Sequence, residues 1–312
     1  MADTVATVGR PASGKAAAGR AATGQPTTGQ PATGQPATVG QRAAFERDGF
    51  LLLPGVLDPD EVRRYTAVVD GLYERHRQAG LPAGGALHRL GAVHACPDLA
   101  PLVDHPGVLG LVWSVLGWNV HVYHSHVDVH PPVAGTEPYR FGWHQDGGRQ
   151  NRELETDPRP RLSVKAAYWL SDVSQRGRGN LQLVPGSHTA NRIDGPPCRD
   201  VPWPDPRGAV EVTARPGDVL FFDRRIWHGR SDNHSAITRK AVFLGYTYRW
   251  VRSRDPVPAE RVGYTPVQRQ LLGLLDEPTE DHAWGHDPAG VPLYELLRTA
   301  GQLDTGVPAL RA

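Results

Sequence analysis

From Val120 onward the apolar residues recur with a period of two, and this pattern constrains the fold more than any other feature of the chain. Residues 120–130, 162–170, 181–184, 218–222 and 241–248 are short runs rich in Val, Leu, Phe and Tyr, most of them bounded by Gly, Pro or Asp. Successive residues of a pleated strand point to opposite faces, so runs of this kind pair into sheets. No regularly alternating helices supply the crossovers that a parallel sheet needs. The chain therefore reads as mainly β with peripheral helices, an antiparallel sandwich or barrel.

Ahead of the strands, Leu57-Asp58-Pro59-Asp60-Glu61-Val62 carries a helix start: Asp58 as N-cap, Pro59 in the first turn and Glu61 closing a capping box. This helix is expected to reach about Arg77, with Val62, Tyr65, Val69 and Leu72 on one stripe. Residues 49–54 before it are strand-like. A second helix is expected over residues 99–116, and residues 254–312 read as a helical, peripheral extension, clearest at 267–272. The first forty residues differ in kind. The run TGQPTTGQPATGQPAT has almost no large apolar side chain to offset the entropy of ordering it. We read residues 1–40 as a disordered low-complexity tail, with a tether or partner-binding arm as the alternative, and residues 41–312 as a single domain.

Charge excludes some partners. A formal net charge of +1 without any basic run argues against nucleic acid and against an anionic membrane surface. No stretch approaches the roughly 18 apolar residues of a membrane span. The N-terminus lacks the apolar core of a secretion signal. Cys96 and Cys198 are too few for a disulfide framework or a Cys-rich zinc site and read as ordinary thiols. These features fit a cytoplasmic protein acting on a small molecule, and they leave its oligomeric state open.

The sharpest chemical signal is Trp143-His144-Gln145-Asp146. In an extended segment residues i and i+2 share a face, so His144 and Asp146 can reach one metal ion together. The best third ligand is His228, in Trp227-His228-Gly229 just past the apolar strand that follows Gly217-Asp218. Two imidazoles and one carboxylate form a facial triad on octahedral Fe(II). Three positions stay open, two for a chelating co-substrate and one for dioxygen. Arg239 opens a strongly apolar strand, where a buried guanidinium needs an acidic partner. Either the distal carboxylate of 2-oxoglutarate, gripped bidentately, or a structural salt bridge meets that need.

Phe45-Glu46-Arg47-Asp48-Gly49-Phe50, Trp143-His144-Gln145-Asp146, the run from Gly179 through Pro185-Gly186-Ser187-His188, and Gly217-Asp218 followed by Trp227-His228-Gly229 together resemble the phytanoyl-CoA dioxygenase family in order and spacing. The resemblance covers residues 42–275. It implies a double-stranded β-helix (jelly-roll, cupin-like) core and a need for Fe(II), 2-oxoglutarate and O2. By motif position, His144, Asp146 and His228 take the iron, Arg239 takes the tail of 2-oxoglutarate, and His126 touches the co-substrate. Two places depart from the family pattern. Two residues after the distal His the family often has Ser or Thr; here Arg230 stands there, with Ser231 beside it as the candidate contact. The family's Lys-Pro-Pro segment reads His130-Pro131-Pro132. Asp146 is retained, unlike in the halogenases of this chemistry, which lack the carboxylate.

Several other residues have two readings. His124, His126, Asp128 and His130 alternate on one strand face, as a second metal site or, as we read them, as a polar face lining the pocket mouth or solvent. Lys165 shares a face with Ala167 and Trp169 and either binds a carboxylate of co-substrate or substrate or lies in water. Trp169 reads as core, and His188 as lining the pocket or closing a turn. The polar stretch 147–161 is expected to cover the substrate, with Arg149 and Arg152 as contacts or as solvated loop residues. The reaction expected is hydroxylation of an unactivated C–H bond with release of succinate and CO2, as a tailoring step in specialised metabolism. Three rivals use the same residues differently. They are a cupin-like isomerase or lyase without 2-oxoglutarate, a zinc hydrolase, and a non-catalytic metal-binding or interaction module.

Overall fold

Two sheets face each other, and which residues face inward follows from the period-two pattern. The structure, a computed structural model, describes residues 6–8, 33–133, 143–193, 205–275, 288 and 290–303. In the first half β1 (Ala6–Val8), α1 (Val39–Asp48), β2 (Phe50–Leu53), α2 (Pro59–Gln78), β3 (Leu87–Leu90) and α3 (Ala92–Ala95) precede α4 (Pro106–Leu116) and the long β4 (Val120–His130). Then come α5 (Gln150–Glu153), β5 (Ser163–Trp169), β6 (Leu181–Leu183), β7 (Val210–Val212), β8 (Val219–Asp223), β9 (His228–Arg230) and β10 (Arg239–Tyr248). Helices α6 (Pro266–Leu271) and α7 (Pro292–Thr299) close the chain. The larger sheet has the order β2-β8-β5-β10-β4-β3, antiparallel throughout. The smaller is β1-β7-β6-β9, in which β1 joins β7 in parallel. The core is a double-stranded β-helix.

Alternation along each strand divides the core into two layers. Val164, Ala166, Tyr168, Phe221, Val242 and Leu244 face outward from the larger sheet and pack under the helices. Their neighbours Ala167, Trp169, Leu220, Phe222, Ala241 and Phe243 face inward onto Leu181, Leu183 and Val212 of the smaller sheet. No described helix is long and apolar enough to cross a membrane.

The expected start of α2 is present in full. Asp58 Oδ1 accepts from the Glu61 amide at 2.8 Å, and Glu61 Oε2 accepts from the Asp58 amide at 3.1 Å, while Tyr65, Val69 and Leu72 are buried. Asp58→Ala is expected to cost about 1 kcal/mol. Urea unfolding should show the shift in midpoint at unchanged m-value, and an unshifted midpoint would mean that packing alone holds the helix.

The helix expected over 99–116 is interrupted. Residues 97–102 form 3-10 turns, the chain bends at His105, and α4 begins at Pro106. Proline has no amide to donate and keeps the residue before it out of the helical region; His105 accordingly sits at φ −54, ψ 124. The packed chain also begins before residue 41. Thr33 O accepts from Trp113 Nε1 at 2.8 Å, the Ala37 amide donates to Ser114 Oγ at 2.9 Å, and Thr38 caps α1. Residues 33–38 are thus tied to α4 and α1 by their own backbone groups, a kind of bond that side-chain composition does not register. Residues 1–5 and 9–32 of the expected tail, part of the C-terminal extension and Cys198 lie outside the described residues.

Candidate metal centre

His144 and His228 form an isolated antiparallel bridge, each amide donating to the other's carbonyl at 2.9 Å. Directly paired residues of an antiparallel ladder project from the same face, so the two imidazoles stand side by side, 4.3 Å between ring centres. Two residues on, the Asp146 amide donates to Arg224 O at 2.9 Å and keeps that stretch extended. Asp146 therefore returns to the face of His144. Ligand atoms of His144, Asp146 and His228 all lie within 4.8 Å of one another.

The charges around these residues suit a cation. His228 Nδ1 lies 2.9 Å from Ile226 O; a carbonyl only accepts, so Nδ1 carries the proton and Nε2 presents its lone pair. Burial pushes the His228 pKa down, and the Lys165 ammonium adds to this, so the ring is neutral, as a ligand must be. Burial opposes ionisation of Asp146, but the Lys165 ammonium, foremost, holds its carboxyl far below the usual carboxylate range. Lys165 Nζ lies 2.8 Å from Asp146 Oδ2. That contact is an ion pair without hydrogen-bond geometry, because Oδ2 is buried and accepts no hydrogen bond from the described residues. A lone pair on a buried, ionised oxygen beside two imidazoles fits a divalent metal of the Fe(II) kind. Phe222 meets the His228 ring edge-on at 5.4 Å, and Trp143 and Trp227 are buried alongside.

A sequence profile described as Phytanoyl-CoA dioxygenase (PhyH) matches residues 45–241. The chain belongs to the phytanoyl-CoA dioxygenase family. An ectoine dioxygenase of Bordetella parapertussis is 29% identical over 233 residues, 66% of this chain and 74% of that protein. The iron-bound crystal structure of EctD from S. alaskensis superposes with a TM-score of 0.55 at 25% identity, covering 73% of this chain and 82% of the other. The non-haem alpha-ketoglutarate-dependent carbocyclase SnoK from nogalamycin biosynthesis gives a TM-score of 0.53 at 25% identity, covering 72% and 94%.

In this family member the chamber beside the triad is floored by three cross-strand rows of the larger sheet. Lys165, Gly245 and His124 form one, Ala167, Phe243 and His126 the next, and Trp169, Ala241 and Asp128 the third. Arg239 and His130 pair beyond them. The polar strand face of β4 thus points inward and is buried, rather than lining a mouth open to solvent. His126 stacks on Phe243 at 4.3 Å, and burial, reinforced by Lys165, His124 and His88, keeps its pKa well below that of free histidine.

Arg239 is buried over the Trp169 ring at 4.9 Å, with Nη1 3.3 Å from Asp128 Oδ2. The same carboxylate takes His88 Nδ1 at 2.6 Å. His88, His126 and Asp128 also bring ligand atoms within 4.8 Å. Because the Arg239 guanidinium already matches the Asp128 charge, a second cation there would meet repulsion.

Three expectations change. Lys165 does not lie in water; its register on β5 aims it at Asp146. Ser231 does not face the chamber. Being one residue out of phase with His228, it turns its hydroxyl to Asn180 O at 3.3 Å and Glu211 Oε1 at 3.2 Å. Arg149, just before α5, and Arg152 on it are exposed, Arg149 pairing with Glu153, as solvated loop residues. His188 closes a turn, buried with Nε2 3.1 Å from Glu46 O.

Arg224 was missed. It is buried, and its Nη1 donates to Asp146 O at 3.2 Å and to Asn151 Oδ1 at 3.1 Å. It occupies the space a side chain at Gly147 would need, where φ is +122. The available signal was a charged pair, Asp223-Arg224, directly after the apolar Val219-Leu220-Phe221-Phe222.

Proposed function

We propose that this chain hydroxylates an unactivated C–H bond of a small molecule, with His144, Asp146 and His228 as iron ligands and Arg239 as the anchor for the tail of 2-oxoglutarate. It is a non-haem Fe(II)/2-oxoglutarate-dependent dioxygenase. The observation that carries the residue assignment is the convergence of two imidazoles and one ionised carboxylate within 4.8 Å on one face of a jelly roll.

Bound there, Fe(II) supplies the oxygen activation that couples decarboxylation of 2-oxoglutarate, to succinate and CO2, with hydroxylation of the substrate. The chain's own residues prepare the site. His228 is held in one tautomer by Ile226 O, and Lys165 offsets the Asp146 charge in the absence of other cations. Arg224 fixes the backbone on which Asp146 stands. Phe222 packs edge-on against the His228 ring and shields it from bulk water.

For the substrate we propose a specialised metabolite, with cytoplasmic turnover. The likeness to a carbocyclase of nogalamycin biosynthesis supports this reading; the ectoine dioxygenases make ectoine the comparison compound. The test is succinate release by purified protein with Fe(II), 2-oxoglutarate and O2, against ectoine, free amino acids and natural-product intermediates. Hydroxylated product in step with succinate, from a natural-product intermediate, is the expected result. Hydroxylation confined to ectoine would overturn the substrate class. Turnover that needs neither 2-oxoglutarate nor O2 would replace the whole reading by an isomerase, lyase or zinc hydrolase at the same ligands.

A further inference from the structure

Strand β4 carries one residue more than its partner β10 can match. Gly245 pairs with His124 and Tyr246 with Val122, so Tyr123 is the extra residue and the ladder bulges there. A bulge re-aims the side chain it carries. The Tyr123 ring lies over Gly245, where an added Cβ would stand 2.9 Å from Tyr123 Cε1. A side chain at position 245 would displace the ring. The Tyr123 carbonyl accepts from the Arg254 amide at 2.8 Å and from the Asp255 amide at 3.2 Å, so the bulge is fastened from outside the sheet.

The bulge brings a phenol towards the metal centre. Gly245 is the cross-strand neighbour of Lys165, a strand spacing of about 4.8 Å away, and the Tyr123 phenol is near enough to act on the Lys165 charge. The Tyr123 hydroxyl lies 3.3 Å from Ser163 Oγ, and Ser163 precedes Lys165 by two residues on the same face of β5. Both residues are buried, and among the described residues each hydroxyl finds only the other. A phenol and an alcohol that share one long bond keep lone pairs to spare.

Lys165 has a physical reason to use them. Its Nζ lies 2.8 Å from Asp146 Oδ2, the buried oxygen that accepts no hydrogen bond from the described residues. A metal ion taken up by that carboxylate meets the ammonium at close range, and like charges repel. A buried ammonium without an acceptor is costly, so another must lie within the reach of its side chain. The hydroxyl pair is on its own strand face, about 6–7 Å along β5.

We propose that Lys165 is a placeholder for the metal, paired with Asp146 until a metal takes that carboxylate and then seated on the Tyr123–Ser163 hydroxyl pair. This rests on the ligand assignment above. Tyr123 is then a positioning residue, acting on the metal through Lys165, and Gly245 is the position that leaves room for it.

Anaerobic calorimetry of Fe(II) binding to full-length protein tests this as a double-mutant cycle. Tyr123→Phe keeps the ring and is expected to weaken Fe(II) by about 10-fold, the low end for loss of an outer contact. In the Lys165→Met background, which has no charge to seat, Tyr123→Phe should have no further effect. Near-UV difference spectra supply a readout that a packing role would not move. Zn(II), which does not absorb there, should perturb a tyrosine in wild type but none in Tyr123→Phe or Lys165→Met. The proposal is overturned if Tyr123→Phe binds Fe(II) as tightly as wild type, if it weakens Fe(II) equally with and without Lys165, or if Zn(II) leaves the wild-type tyrosine spectrum unchanged. Should Lys165→Met not fold, the first and third outcomes still decide. Fe(II) bound as tightly by Asp146→Ala as by wild type would instead sink the ligand assignment itself.

Discussion

Asp146→Ala is expected to reduce Fe(II) affinity by more than about 100-fold, beyond the range seen when a supporting outer contact is lost. Asp146 is the anionic member of the triad, and its carboxyl is held ionised by the Lys165 ammonium against the cost of burial. The same substitution acts on the metal-free protein. Lys165 is buried with Asp146 Oδ2 2.8 Å away, so removing the carboxylate strands an ammonium in the interior. Breaking one side of such a pair costs about 3–5 kcal/mol. The double variant Asp146→Ala, Lys165→Met removes both charges and should recover most of the stability while still failing to bind iron. Denaturant unfolding of wild type, Asp146→Ala and the double variant separates the two effects. A single variant as stable as wild type would mean that Lys165 finds water or another anion when Asp146 is gone.

Asp223→Ala is expected to have the largest effect on stability away from the triad. Asp223 is fully buried and accepts from Arg161 Nε at 2.6 Å and from Arg225 Nη2 at 2.7 Å, while Arg161 also grips Glu46 through two bonds of 2.7 Å. This cluster fastens the segment that follows the loop carrying His144 and Asp146 onto α1 and β8. Loss of the shared carboxylate leaves two arginines without their central partner, at a cost of about 3–5 kcal/mol, or a fall in Tm of about 10 °C. The pH dependence follows from the same contacts. Burial opposes ionisation, but Arg225 and Arg161 together hold the folded-state pKa of Asp223 below its ordinary 3.8. The stabilisation is therefore complete above about pH 4 and is lost as pH falls through the depressed folded value. The stability gap between wild type and Asp223→Ala should close on acidification below that point. A gap that stays constant down to acid unfolding would assign the effect to packing instead.

Elements with long periodic runs were legible in the sequence. Residues 120–130 match β4, and residues 162–170 and 241–248 match β5 and most of β10, because each supplies enough alternating residues to fill both core layers. The strands that escaped notice are β1, which falls in the stretch read as a disordered tail, and β3, β7 and β9. They have three or four residues each, with charged members such as Arg89 and Glu211, and only their partners in the sheet define them. The triad was readable because two ligands sit at strand spacing and the third follows a strand-turn signature. Its surroundings were not. That Lys165 aims at Asp146, and that Asp128 shares Arg239, depends on register between strands far apart in the chain. Ser231 and Arg230 differ by one residue of phase, and β9 is too short for its own pattern to reveal which of them faces inward.

The most direct test of the iron and co-substrate assignment is visible absorption under anaerobic conditions, recorded as Fe(II) and then 2-oxoglutarate are added to metal-free protein. A weak metal-to-ligand charge-transfer band that needs both additions, and that is missing in Asp146→Ala and His228→Ala, is the expected result. Tight uptake of Fe(II) with no band on adding 2-oxoglutarate, or a band that survives in both variants, would contradict it.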